Sequence, residues 1–189
     1  VHLTLIFSIG TAGIMYFNAK RLSLAVYGND SAFFYIQILS PLIPVMYCDM
    51  SVDGMLKGLD QQVSYMRYNI IDASICVVLV YLLVPIFSVK GYVIVVFVSE
   101  IINFILSFRR LTKVSDVNIS FFKDIFIPIF CVIGANLLKN FIFFSFNITN
   151  LKLAASLEII AAVILYTGMI VLFRSIDKEE LTWLKSLVG

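Results

Sequence analysis

Carboxylates placed inside apolar runs long enough to cross a bilayer constrain this chain more than any other feature. Residues 41–62 read PLIPVMYCDMSVDGMLKGLDQQ. Two prolines open this stretch, Asp49 and Asp53 lie inside an otherwise membrane-like run, and a Lys-Gly-Leu-Asp-Gln-Gln segment closes it. As a helix, it puts Asp49, Asp53 and Lys57 at i, i+4 and i+8 on one face. Asp53 and Lys57 stand in the favourable acid-then-base order. Gly54 and Gly58 form a G-x-x-x-G pair, a spacing that admits a neighbouring backbone. An acid at the centre of a spanning helix costs about 2.5–3.5 kcal/mol on insertion scales, so it faces protein or a watery cavity. The expectation is an all-α integral membrane bundle with a polar interior.

Composition agrees. Of 189 residues, 61% are hydrophobic and 14% charged, against about 45–50% apolar and about 25% charged in a soluble domain. A net charge of +2 is too small to indicate a nucleic-acid partner. Cys48, Cys76 and Cys131 lie in apolar runs without paired spacing and read as small core hydrophobes. The only histidine, His2, stands at the start of the chain. No hydrolase, nucleotide or metal pattern is present, so neither catalysis nor a cofactor is expected. The first residue, Val1, already lies inside an apolar run with no charged region before it. The reading is the C-terminal part of a longer protein.

About 20 apolar residues make a span, and six segments qualify: 1–17, 31–56, 63–84, 92–108, 125–146 and 153–173. Gly10 and Gly13 mark a close-packing face on the first. Residues 18–30 (NAKRLSLAVYGND) read as an interfacial connection ending in a Gly-Asn-Asp turn. Pro41 and Pro44 are expected to kink the second span. Residues 85–91 read as a tight connection, and 109–123 as the longest polar segment. Residues 1–174 form the transmembrane part, and 175–189 a cytoplasmic tail. In that tail Asp177 and Glu180 resemble a capping box, and Leu181, Leu184 and Val188 share the apolar face of a short amphipathic helix on the inner leaflet.

With six spans, nine lysines and arginines fall on one side (57, 67, 109, 110, 113, 123, 174, 178 and 185) and five on the other (20, 21, 90, 139 and 152). The excess places the C-terminus in the cytoplasm. Asn118-Ile-Ser120 and Asn147-Ile-Thr149 match the glycosylation triplet, but one is read as cytoplasmic and the other lies against a membrane end, so both are discounted.

The remaining candidates are charges inside the spans. Asp72 and Glu100 lie nearest the midplane. Each reads either as a cavity wall or protonation site, or as a carboxyl hydrogen-bonded to a neighbouring helix. Lys139, late in an outward helix, and Glu158, early in the returning one, are expected to form a structural ion pair.

Three segments carry a resemblance. Ile38-Leu39-Ser40-Pro41-Leu42-Ile43-Pro44, then residues 54–62 (GMLKGLDQQ), then residues 83–92 (LVPIFSVKGY) resemble, in this order, elements in the C-terminal half of bacterial polysaccharide flippases. These belong to the multidrug/oligosaccharidyl-lipid/polysaccharide exporter superfamily, and the branch most similar is that of stage V sporulation protein B. Ser88 departs from the usual glycine, and Asp49 and Asp53 stand where that family more often has small or neutral residues.

The resemblance implies the second lobe of a two-lobe transporter of the plasma membrane. Its substrate would be a lipid-linked saccharide such as a cell-wall or spore-cortex precursor, turned across the membrane by rocking of the lobes. The partners implied are membrane lipids, a missing N-terminal lobe and a coupling ion, H+ or Na+. Under this reading Asp49, Asp53, Asp72 and Glu100 suit the cavity or coupling. Lys57, Arg67 and Lys139 suit the diphosphate of a lipid carrier. Two rival functions share the sequence: a drug/cation antiporter of the same superfamily, and a non-transporting scaffold for envelope-synthesis enzymes.

Overall fold

The computed structural model describes residues 2–115, 122–143 and 151–173. Among them every regular element is helical: α1 (His2–Tyr27), α2 (Phe33–Leu39), a 3-10 turn (Ser40–Leu42), α3 (Ile43–Gly58), α4 (Gln62–Phe87), α5 (Val89–Val114), a π turn (Phe122–Phe126), α6 (Ile127–Phe143) and α7 (Leu151–Leu172). Five stretches are long and apolar enough to cross a membrane: Phe33–Gly58, Gln62–Phe87, Val89–Val114, Asp124–Phe143 and Lys152–Leu172. The chain is an all-α bundle of membrane type.

The surface of α4 makes the same point. None of its residues is buried, and Val77, Tyr81 and Ile86 stay more than two-thirds exposed. Acyl chains solvate such a helix, whereas water would meet an apolar patch far larger than soluble proteins tolerate.

Where the structure departs from the sequence reading, the departures have local causes. Five of the six expected spans are among these stretches, and the first, 1–17, falls within α1. Its 26 residues rise about 39 Å, yet they include Asn18, Lys20 and Arg21. The connection expected at 18–30 is therefore helical as far as Tyr27. Its turn begins at Gly28, whose φ of 70° suits a residue without Cβ.

The kink expected at Pro41 and Pro44 appears as the 3-10 turn that separates α2 from α3. Pro44 then falls in the first turn of α3, where a missing N–H costs nothing. Helix α4 runs through Pro85 to Phe87, and α5 begins at Val89. The connection expected at 85–91 shrinks to Ser88, and the polar segment expected from 109 is helical to Val114. The tail 175–189 and both glycosylation triplets lie outside the described residues.

The described residues form two compact units. The first holds α3, α4 and α5 around Val52, Leu56 and Leu111, with Phe104 and Phe108 packed against them and stacked at 5.4 Å. Asp60 (φ 56°) turns the chain between α3 and α4, and Gln61 N–H closes that turn on Leu56 O at 2.9 Å. A Cβ added at Gly91 would lie 2.4 Å from Leu83 O, so α4 and α5 meet at backbone contact there.

The second unit holds α1, α2, α6 and α7. Its core joins Ile6 and Ile14 of α1, Cys131, Val132 and Ala135 of α6, and Ala162, Tyr166 and Ile170 of α7. Gly10 and Gly13 form the close-packing face of α1. Gly10 lies under the Tyr166 ring and Gly13 against Val132. The Tyr166 hydroxyl donates to Ile6 O at 2.6 Å. The G-x-x-x-G pair differs, since a Cβ at Gly54 or Gly58 would meet nothing within 4 Å. Among the described residues no backbone uses that spacing.

Candidate functional site

Helix α5 organises the first polar cluster. Gly91, Val95, Ser99, Asn103, Ser107 and Leu111 are its buried positions. Their constant spacing of four lays small and polar groups along one side. Three of them each meet an acid from another helix. Asn103 Nδ2 donates to Asp49 Oδ2 at 2.8 Å. Ser107 Oγ donates to Asp53 Oδ1 at 3.4 Å, and Ser99 Oγ to Asp72 Oδ1 at 2.5 Å. Helix α3 supplies two of these acids and α4 the third, so the serines and the asparagine form a ladder that two neighbouring helices share.

This ladder explains how such acids stay inside spanning helices. A hydrogen bond contributes about 0.5–1.5 kcal/mol to a neutral acid and about 1.5–3 kcal/mol to an ionised one, which offsets part of an insertion cost of about 2.5–3.5 kcal/mol. Asp49 is only 6% exposed, while Asp53, Asp72 and Glu100 are partly buried. Of the two readings open for Asp72, the structure draws the hydrogen-bonded carboxyl. Glu100 lies beside the ladder, within electrostatic reach of Asp72.

Five of the six described cations of this unit gather at one end, and Lys90, at the start of α5, is at the other. Lys57 does not bridge to Asp53. Its ammonium lies over the Tyr65 ring, 4.4 Å from the centroid, an arrangement that a helix-end lysine gains without desolvation. Arg67 is exposed in the first turns of α4. Arg110 donates to Gln61 Oε1 through Nε (3.1 Å) and Nη2 (2.5 Å), which sets the C-terminal end of α5 beside the α3–α4 turn. Arg109 and Lys113 belong to the same last turns of α5.

The second cluster lies within the other unit. Lys139 of α6 is 3% exposed. Its Nζ donates to Asn18 Oδ1 of α1 at 2.5 Å and lies 3.7 Å from Glu158 Oε2 of α7. Asn18 Nδ2 in turn donates to Ile14 O at 2.8 Å. Arg21 of α1 pairs with the other oxygen of Glu158 from the solvent side. One buried acid therefore sits between two cations. Lys139 and Glu158 meet where the sequence reading put them. Near the start of α1, His2 Nε2 approaches Asp124 Oδ1 at 3.5 Å.

The structure thus joins Asp49, Asp53 and Asp72 to one helix and pairs Lys139 with Glu158. Lys57 lies within electrostatic reach of Asp53, whereas Arg67 is exposed on α4. Sequence reasoning missed Ser99, Ser107, Asn18 and Arg21. The spacing of four along α5 was a usable signal for the serines. Asn18 and Arg21 were hidden by the reading of 18–30 as a connection. All three cysteines are free, and no group of three or more His, Cys, Asp or Glu among the described residues is arranged to hold a metal ion. No protein-family model, curated protein or solved structure matches the chain.

Proposed function

We propose that this chain is one lobe of a membrane transporter that turns a lipid-linked saccharide across a bacterial plasma membrane by alternating access. The observation that carries the reading is the row of acids that α3 and α4 lay along α5, inside helices of membrane length. Intramembrane carboxylates mark ion or substrate paths in transporters, and repeated lobes rocking about a midplane site are a general transporter design. The cations at one end of the same unit, Lys57, Arg67, Arg109, Arg110 and Lys113, fit the cytoplasmic side. They also suit a diphosphate headgroup waiting there. A partner lobe would complete the cavity.

A second reading, the drug/cation antiporter, draws on the same row. The acids of the ladder receive hydrogen bonds from neutral side chains, and an organic cation would find unspent negative charge among them. Depletion of the full-length protein in its own cells separates the two. The flippase reading expects lipid-linked saccharide to accumulate with its headgroup on the cytoplasmic face. Drug hypersensitivity without that accumulation would replace it with the antiporter. Loss of envelope enzymes from the membrane, with saccharide distribution unchanged, would replace both with the scaffold.

A further inference from the structure

The pair Asp49–Asn103 is one hydrogen short. Asn103 Nδ2 donates to Asp49 Oδ2 at 2.8 Å, which leaves Asp49 Oδ1 and Asn103 Oδ1. Both oxygens are buried, and neither has a hydrogen-bond partner. Their residues are 6% and 8% exposed. An ionised carboxylate only accepts, and so does an amide oxygen, so the two groups cannot satisfy each other as they stand. Turning the Asn103 amide over does not help, because Asp49 would then lose its one donor.

The surroundings offer no remedy. The hydroxyls nearest along α5, Ser99 and Ser107, already serve Asp72 and Asp53. The charged groups that reach Asp49 are Asp53 from its own helix, Asp72 from α4 and Glu100 from α5, and all three are acids. Cys48, its neighbour in sequence, is a buried free thiol. A bare carboxylate here is buried, has one oxygen without a donor, and has only acids for charged neighbours.

We propose that Asp49 is a proton-binding site, with a neutral carboxyl whose Oδ1–H donates to Asn103 Oδ1 across the α3–α5 interface. One proton taken up from solvent satisfies both orphan oxygens, removes one negative charge from the row, and breaks no bond. Carboxyl and amide then face each other through two hydrogen bonds, one in each direction. Release of the proton sets an anionic oxygen against an amide oxygen, so α3 and α5 repel at that level. The inference deepens the transport reading and rests on it for its purpose, making Asp49 the carrier of the coupling ion.

Infrared difference spectroscopy of the full-length protein in lipid vesicles tests this directly. Spectra are taken in sodium-free buffer between about pH 5 and about pH 9, the range that brackets ordinary carboxyl and imidazole titration. The wild type should show the carbonyl stretch of a protonated carboxylic acid that is absent in Asp49→Asn. That substitution mimics the neutral side chain, so the fold is expected to survive. Asn103→Leu removes the acceptor and should shift the band to that of a free acid. Asp53→Asn should keep it in place. A spectrum unchanged by Asp49→Asn, or unmoved by Asn103→Leu, would overturn the proposal. So would discharge of the band by sodium at constant pH, which would make this a metal-ion site. The band reports the carboxyl alone, so failure to flip saccharide in the same vesicles would sink the transport reading and leave this one standing.

Discussion

Glu158→Gln should be the most damaging single charge removal in the second unit. Glu158 lies between Lys139 and Arg21. The Lys139 and Glu158 side chains are only 3% and 4% exposed, whereas that of Arg21 is 52% exposed. Without the carboxylate, Arg21 swings toward solvent at little cost. Lys139 cannot follow and keeps only Asn18 Oδ1 as acceptor. Breaking a buried pair from one side costs about 3–5 kcal/mol, and the surviving charged hydrogen bond returns part of that. The expected loss is therefore about 3 kcal/mol. Lys139→Met should cost about 1 kcal/mol, because Glu158 retains Arg21 and the methionine fills the vacated stem. The double variant should then fall short of additivity by about 2 kcal/mol, a coupling of the size expected for contacting charges. The assay is reversible unfolding of the full-length protein in mixed micelles, with the four stabilities closed into a cycle. Additivity within about 0.5 kcal/mol, or a larger loss for Lys139→Met than for Glu158→Gln, would refute the argument.

Three further outcomes follow from backbone geometry. Gly10→Val places a side chain where Tyr166 Cε1 is 2.3 Å away. It should cost about 1–3 kcal/mol and break the Tyr166–Ile6 hydrogen bond, which tyrosine fluorescence and thermal unfolding together report. Ser88 holds φ 50° and ψ −130°, a conformation glycine adopts without strain, so Ser88→Gly should stabilise the α4–α5 hairpin by about 1 kcal/mol in a melting experiment. Gly54→Ala meets nothing within 4 Å and should raise stability by about 0.5–1 kcal/mol through helix propensity alone. A loss on melting would restore a packed neighbour at that G-x-x-x-G.

Much of this architecture is visible in the residues before any coordinates. Hydrophobic runs of bilayer length mark the stretch Phe33–Gly58 and the helices α4 to α7, because a spanning helix leaves little choice of composition. The depth argument that paired Lys139 with Glu158 works for the same reason, since antiparallel spans fix which residues share a level. The positive φ of Ser88 is not legible in the residues, because serine gives no sign of it. What stays hidden depends on helix rotation and partner choice. Asp49, Asp53 and Lys57 share a face, but only the packing shows Lys57 turning to Tyr65 while both acids turn to α5. The G-x-x-x-G at Gly54 and Gly58 shows a spacing without an occupant. Asn18 and Arg21 were misplaced because a polar cluster inside a long helix looks, one residue at a time, like the end of a span.

The measurement closest to the heart of this account is the rate at which a fluorescent lipid-linked saccharide changes leaflet in vesicles holding the full-length protein. The wild type should flip it faster than protein-free vesicles. A variant with Asp49, Asp53 and Asp72 replaced by Asn, which leaves each α5 side chain a hydrogen-bond acceptor, should fall back to the protein-free rate. Equal rates in wild-type and empty vesicles, or undiminished flipping once the three acids are gone, would contradict the account.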